Sequence, residues 1–122
     1  MADLDNILAE ARETNDKMQA ALGATDESTM RQIVRLRTRF ATLVAEMMSA
    51  IRTDPRLAAN PELKDQFDAK FAEMRQELAK HQHKWRSTEI ESDEAGYRMA
   101  GREMGHKQDA FYRWAQDALR DA

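Results

Sequence analysis

Apolar residues recur at steps of three and four through most of the chain, and they are densest between Met30 and Ile51. There Met30, Ile33, Val34, Leu36, Phe40, Ala41, Leu43, Val44, Met47, Met48 and Ile51 cover nearly half of a helical wheel. A helix lying on the surface of a domain shows a narrower stripe. The pattern predicts the central helix of an all-helical bundle, or one half of a dimer interface.

The flanking segments read the same way. Leu4, Ile7, Leu8, Ala11, Met18, Ala21 and Leu22 form one stripe, which predicts a first helix from Asp3 to Leu22. Asp3 is its expected N-cap and Gly23 its expected left-handed C′ residue. Asp26 or Ser28 is the expected cap of the second helix. That helix ends at Asp54-Pro55, because the residue before a proline disfavours helical dihedrals. Residues 55–60 read as a short connection.

Asn60-Pro61-Glu62 has the cap, the proline and the acid of a helix start. The third helix then runs to about Arg86 on a narrow seam of Leu63, Phe67, Phe71, Met74, Leu78, His81 and Trp85. Residues 87–94 are polar and acidic; they form a loop, or the helix continues with Ile90 inward. The last helix is expected from near Ser92 to Leu119. Its inward set is Tyr97, Ala100, Met104, Phe111, Ala115, Ala118 and Leu119. Gly101 and Gly105 lie inside it, and each interior glycine costs ~1 kcal/mol relative to alanine. They are expected to seat an aromatic such as Trp85 or Phe71, or to mark a hinge. The fold class is all-α: a single domain, residues 1–122, built as a bundle of three to four mostly antiparallel helices.

Composition narrows the function classes. The chain has 122 residues, two prolines and four glycines, with 42% hydrophobic and 34% charged residues. That mix is globular, and too apolar for a disordered chain. Net charge is −3, so no global positive field favours nucleic acid or a lipid surface. Cysteine is absent, which excludes disulfides, thiolate catalysis and cysteine-based zinc sites. No apolar run approaches the ~20 residues of a membrane span. The acidic start, MADLDNILAE, lacks signal-peptide order. The expected location is cytoplasmic, with no nucleic-acid and no membrane partner.

Among candidate chemical groups, His81 stands out on the seam of the third helix, between Leu78 and Trp85 and one turn after Glu77. His81, Glu77 and Trp85 are a candidate ligand or switch site. The simpler reading is a core histidine, mostly buried and bonded to a polar partner, with His83 and His106 exposed. A di-iron bundle needs two Glu-x-x-His pairs, and Glu103 to His106 is the single one present. No metal and no cofactor is expected.

His81-Gln82-His83-Lys84 resembles the His-x-x-Lys core of histidine phosphotransfer domains, which are also helical bundles of similar size. The resemblance covers four residues. Trp85 stands where that family commonly has glycine, and the helical phase buries His81. The resemblance implies a phosphotransfer-like signalling domain as an alternative function. A small-ligand bundle is another, with a pocket near His81 and Trp85 lined by Phe67, Phe71 and Met74.

Arg31, Arg35 and Arg39 form an outward ridge on the second helix, since residues four apart stack on one face. Arginine forks suit carboxylate and phosphate. The ridge reads as a surface for an acidic protein partner, or as a solvated face paired with Glu10 and Glu13. Arg37 falls inside the apolar arc itself. Arg31, Arg35, Arg39, Val44 and Met48 make the expected interaction surface. The sequence holds no Gly-rich phosphate loop and no serine-nucleophile motif. The functional expectation is a non-enzymatic interaction or regulatory module that binds a protein partner or a second copy of itself as a homodimer.

Overall fold

A computed structural model describes residues 3–24 and 27–122, apart from the side chains of Glu27, Ser28 and Ser87. The described residues are all-helical and hold six helices that pack together. In order these are α1 Leu4–Gly23, α2 Glu27–Thr53, α3 Pro55–Ala58, α4 Pro61–Lys84, α5 Ser87–Ser92 and α6 Glu94–Arg120. No described helix is long and apolar enough to cross a membrane. The expected count of three to four helices omits the two short ones. Each short helix replaces an expected connection; Asp54 caps α3 with its side chain, whereas α5 starts without a side-chain cap.

Asp54 ends α2 and at once caps α3, accepting the Arg56 backbone N–H at 2.8 Å. Asn60 caps α4 as expected, accepting from the Leu63 N–H at 3.2 Å. Residues 87–94 neither continue α4 nor form a loop. The helix stops at Trp85, and Asp93 caps α6 by accepting from the Gly96 N–H at 2.9 Å. Asp3 caps α1 as read, but Gly23 does not adopt a left-handed conformation; it ends the helix, and Ala24 follows in extended backbone. The capping expected of Asp26 and of the Ser28 side chain lies outside the described residues.

The four long helices lie side by side, with α1 between α2 and α6 and α4 between α6 and α2. Cross-helix pairs run in opposite directions along each neighbour. Arg12 meets Asp109 while Asn15 meets Gly105. Phe67 meets Trp114 while Glu77 meets Lys107. Neighbours are therefore antiparallel, as short connections favour.

Apolar burial is organised in two clusters along the axis. The larger holds Leu4, Leu8, Leu43, Met47, Leu57, Phe67, Phe111 and Leu119, among others. The smaller holds Met18, Leu22, Ile33, Phe40, Trp85, Ile90 and Tyr97. Buried polar residues lie between them along α1 and α6: Thr14, Asn15 and Gln108. Buried polar groups require partners. The Thr14 hydroxyl donates to the Glu10 carbonyl, Asn15 Nδ2 donates to the Gly105 carbonyl, and Tyr112 donates to Gln108.

The glycine pair of α6 seats α1 rather than an aromatic. A Cβ on Gly101 would lie 2.6 Å from Leu22 Cδ1, and one on Gly105 would lie 2.1 Å from Gln19 Nε2. The close approach lets Gln19 donate to the Gly101 carbonyl at 3.3 Å. Trp85 and Phe71 pack elsewhere, in different clusters.

Candidate functional site

His81 lies in the last turn of α4, where its carbonyl accepts the Trp85 N–H that closes the helix. The ring is half-buried and stacks on Tyr97 of α6, with centroids 5.8 Å apart and planes 24° apart. Trp85 meets the same tyrosine edge-on at 5.7 Å. The sequence placed all three on inward faces, yet it did not identify Tyr97 as the group that joins them.

The polar partner expected for His81 is missing among the described residues, where the ring makes no hydrogen bond. Glu77 does not supply it. Its carboxylate turns to α6 and meets Lys107 at 3.1 Å, with Lys80 at 3.9 Å. Glu77 thus does not bond the His81 ring, although the two line one open cavity together with Trp85. Burial, and then the positive charge of Arg37, push the His81 pKa below its ordinary 6.5. His83 and His106 are exposed as expected, and His83 Nδ1 lies 3.2 Å from Arg86.

Two cavities lie beside His81: one of about 30 Å³, lined by Met18, Arg37, Phe40, Tyr97 and Gln108 among others, and an open one of about 180 Å³ that Glu77, Trp85, Glu103 and Lys107 help to line. The first is room for water, and the second is smaller than the roughly 300–1,000 Å³ of ligand pockets. Of the residues expected to line one pocket, Phe67, Phe71 and Met74 belong to the larger cluster and Trp85 to the smaller. A groove of about 300 Å³ instead runs between α4 and α6, with Met74, Phe111 and Trp114 beside Lys70, Glu73 and Lys107. Its lysines are already engaged, Lys107 with Glu77 and Lys70 over the Trp114 ring at 5.1 Å. Among the described residues no three His, Asp or Glu side chains group to hold a metal.

On α2 the expected ridge divides. Arg39 is half-buried and bonded to Glu10 of α1, the pairing that a solvated face predicts. Arg31 and Arg35 are exposed and make no ion pair among the described residues. Val44 is half-buried, packed against the larger cluster. Met48 remains 43% exposed, with Arg75 Nη1 donating to its sulfur at 2.9 Å. Arg37 is half-buried beside the smaller His81 cavity.

The broad apolar arc of α2 divides into two faces. Ile33, Phe40, Leu43, Met47 and Ile51 are buried by the chain itself. Val34, Thr38, Ala41, Ala45 and Met48 are all exposed, Val34 at 55%. The signal lay in the seven-residue spacing of Val34, Ala41 and Met48, which tracks one edge of the apolar arc. Compared with known proteins, the chain matches no family model, no curated protein and no solved structure.

Proposed function

We propose that the chain is a non-enzymatic interaction module, a bundle of four long antiparallel helices that binds protein through the outer face of α2. One observation carries the reading. From Val34 to Met48, α2 exposes two large apolar side chains on a face where the exposed residues between Arg35 and Arg52 include one charge, Glu46. Exposed apolar surface rimmed by charge marks contact sites more often than ornament. Arg31 and Arg35 at its margin, without an ion pair among the described residues, supply guanidinium groups that steer an acidic partner. A net charge of −3 weighs against nucleic acid, whose recognition rests on phosphate neutralisation. The module reads as cytoplasmic. The stacking of His81 on Tyr97 weighs against a phosphotransfer role, which needs an accessible imidazole.

The test compares the wild type with a Val34→Glu, Met48→Glu double variant by residue-resolved cross-linking in cells. Both positions are exposed, so stability should change by less than about 1 kcal/mol in total. Intermolecular cross-links are expected to concentrate on the outer face of α2 and to vanish in the variant. Identical cross-links from both proteins would overturn the reading.

A further inference from the structure

We infer that the partner of this face is a second copy of the chain, paired antiparallel along α2 about Thr38 and Ala41. The inference rests on the interaction reading above and names its partner.

The spacing comes first. Val34, Thr38, Ala41, Ala45 and Met48 follow steps of four, three, four and three, the rhythm of a helix seam that packs on another helix. All five are exposed, and none is charged, in a chain where 34% of residues are. Ala41 and Ala45 allow close approach at the centre. Val34 and Met48 supply apolar contact to either side.

Charge then selects the partner and its direction. Arg31, Arg35, Arg37 and Arg39 occupy the first half of α2, and Glu46 lies in the second. A parallel pairing sets Arg35 against Arg35. An antiparallel pairing with Thr38 facing the partner's Ala41 sets Val34 against the partner's Ala45. At 1.5 Å per residue it also brings Arg35 within about 3 Å, along the axis, of the partner's Glu46. The two residues are eleven apart, about three turns, so they share one flank of the seam. A twofold axis brings like flank to like flank, and the pair forms twice. Arg35 and Glu46 are both exposed, and neither has an ion pair among the described residues. A seam of one helix per copy lies at the small end of specific interfaces, below about 1,200 Å² in total, which fits a weak, reversible dimer.

Sedimentation equilibrium on the full chain tests the proposal. The wild type is expected to dimerise with a micromolar Kd. Arg35→Glu and Glu46→Arg should each weaken dimerisation by about tenfold, and the two together should restore it. The chain has no cysteine, so Thr38→Cys and Ala41→Cys proteins can be mixed and oxidised without background. The mixed pair should cross-link faster than Thr38→Cys alone. A wild type that stays monomeric, while α2 still cross-links to other proteins in cells, overturns self-pairing and leaves the interaction reading standing. A dimer indifferent to the charge swap, or one in which Thr38→Cys links best to itself, overturns the antiparallel arrangement.

Discussion

The imidazole of His81 lies flat against a phenol, with a guanidinium near and, among the described residues, no carboxylate bonded to its ring. Both burial and the Arg37 charge oppose its protonation. Below pH 6.5 the unfolded chain therefore binds a proton here that the folded chain resists. The stabilising effect is complete above pH 6.5 and is lost as pH falls from there through the folded-state value. His81→Phe keeps the ring and removes the proton. Its thermal unfolding midpoint should vary less than the wild type's between about pH 7 and 5. Equal pH slopes would show that His81 stays solvated. The place of His81 on an inward seam was legible from spacing alone. Its partner was not, because a wheel shows which side of one helix is buried and not which residue faces it. Glu77 shares the helix with His81, but Lys107 on α6 claims it. By contrast, the Arg39 pairing with Glu10 was legible as the expected fate of a solvated arginine.

At the scale of elements, the contact of α1 with α6 is set by two missing side chains. Gly101→Ala would drive a methyl into Leu22, which is 1% exposed and has little room to move. Overpacking of that kind costs ~1–3 kcal/mol, against a gain of ~1 kcal/mol in helix propensity. Gly105→Ala meets the amide end of Gln19, which can swing aside at the loss of one partly buried hydrogen bond. Loss and propensity gain then nearly cancel. Urea titration should rank Gly101→Ala as destabilising and Gly105→Ala as close to neutral. The reverse order would refute the steric account. Interior glycines announced a close approach in the sequence, but the neighbour was misread, because helix order around the core is not written in periodicity. The same holds for α3 and α5. Their boundaries depend on Asp54 and Asp93 acting as caps, and capping residues are equally common in turns.

Across the whole molecule, one arginine ties the start of α1 to the corner between α2 and α3. Arg56 Nη2 donates to Asp54 and to Asp5, each at 2.8 Å. Asp54 is buried, and the side-chain hydrogen bond from Arg56 holds its carboxyl below the usual 3.8. That depressed value stabilises the fold above pH 3.8, and the contribution is lost as pH falls below it. Asp54→Ala removes a cap as well as an ion pair that is open to solvent on the Arg56 side. It should lower stability by about 1–2 kcal/mol and flatten the acid limb of a pH titration followed by circular dichroism. An unchanged acid limb would remove Asp54 from the account. The all-helical class was fully legible, since apolar periodicity and helix formers agree along the chain. The two-sided use of α1 was not, because it joins segments far apart in sequence: Arg12 donates to Gln116, 104 residues away. That arrangement has a consequence for synthesis. α2 leaves the ribosome soon after α1 and can cover one of its faces, whereas the other face waits for α6, which begins only at Glu94. Until α6 emerges the nascent chain carries a half-clad helix. This interval is when it is most open to aggregation, or to capture by a chaperone.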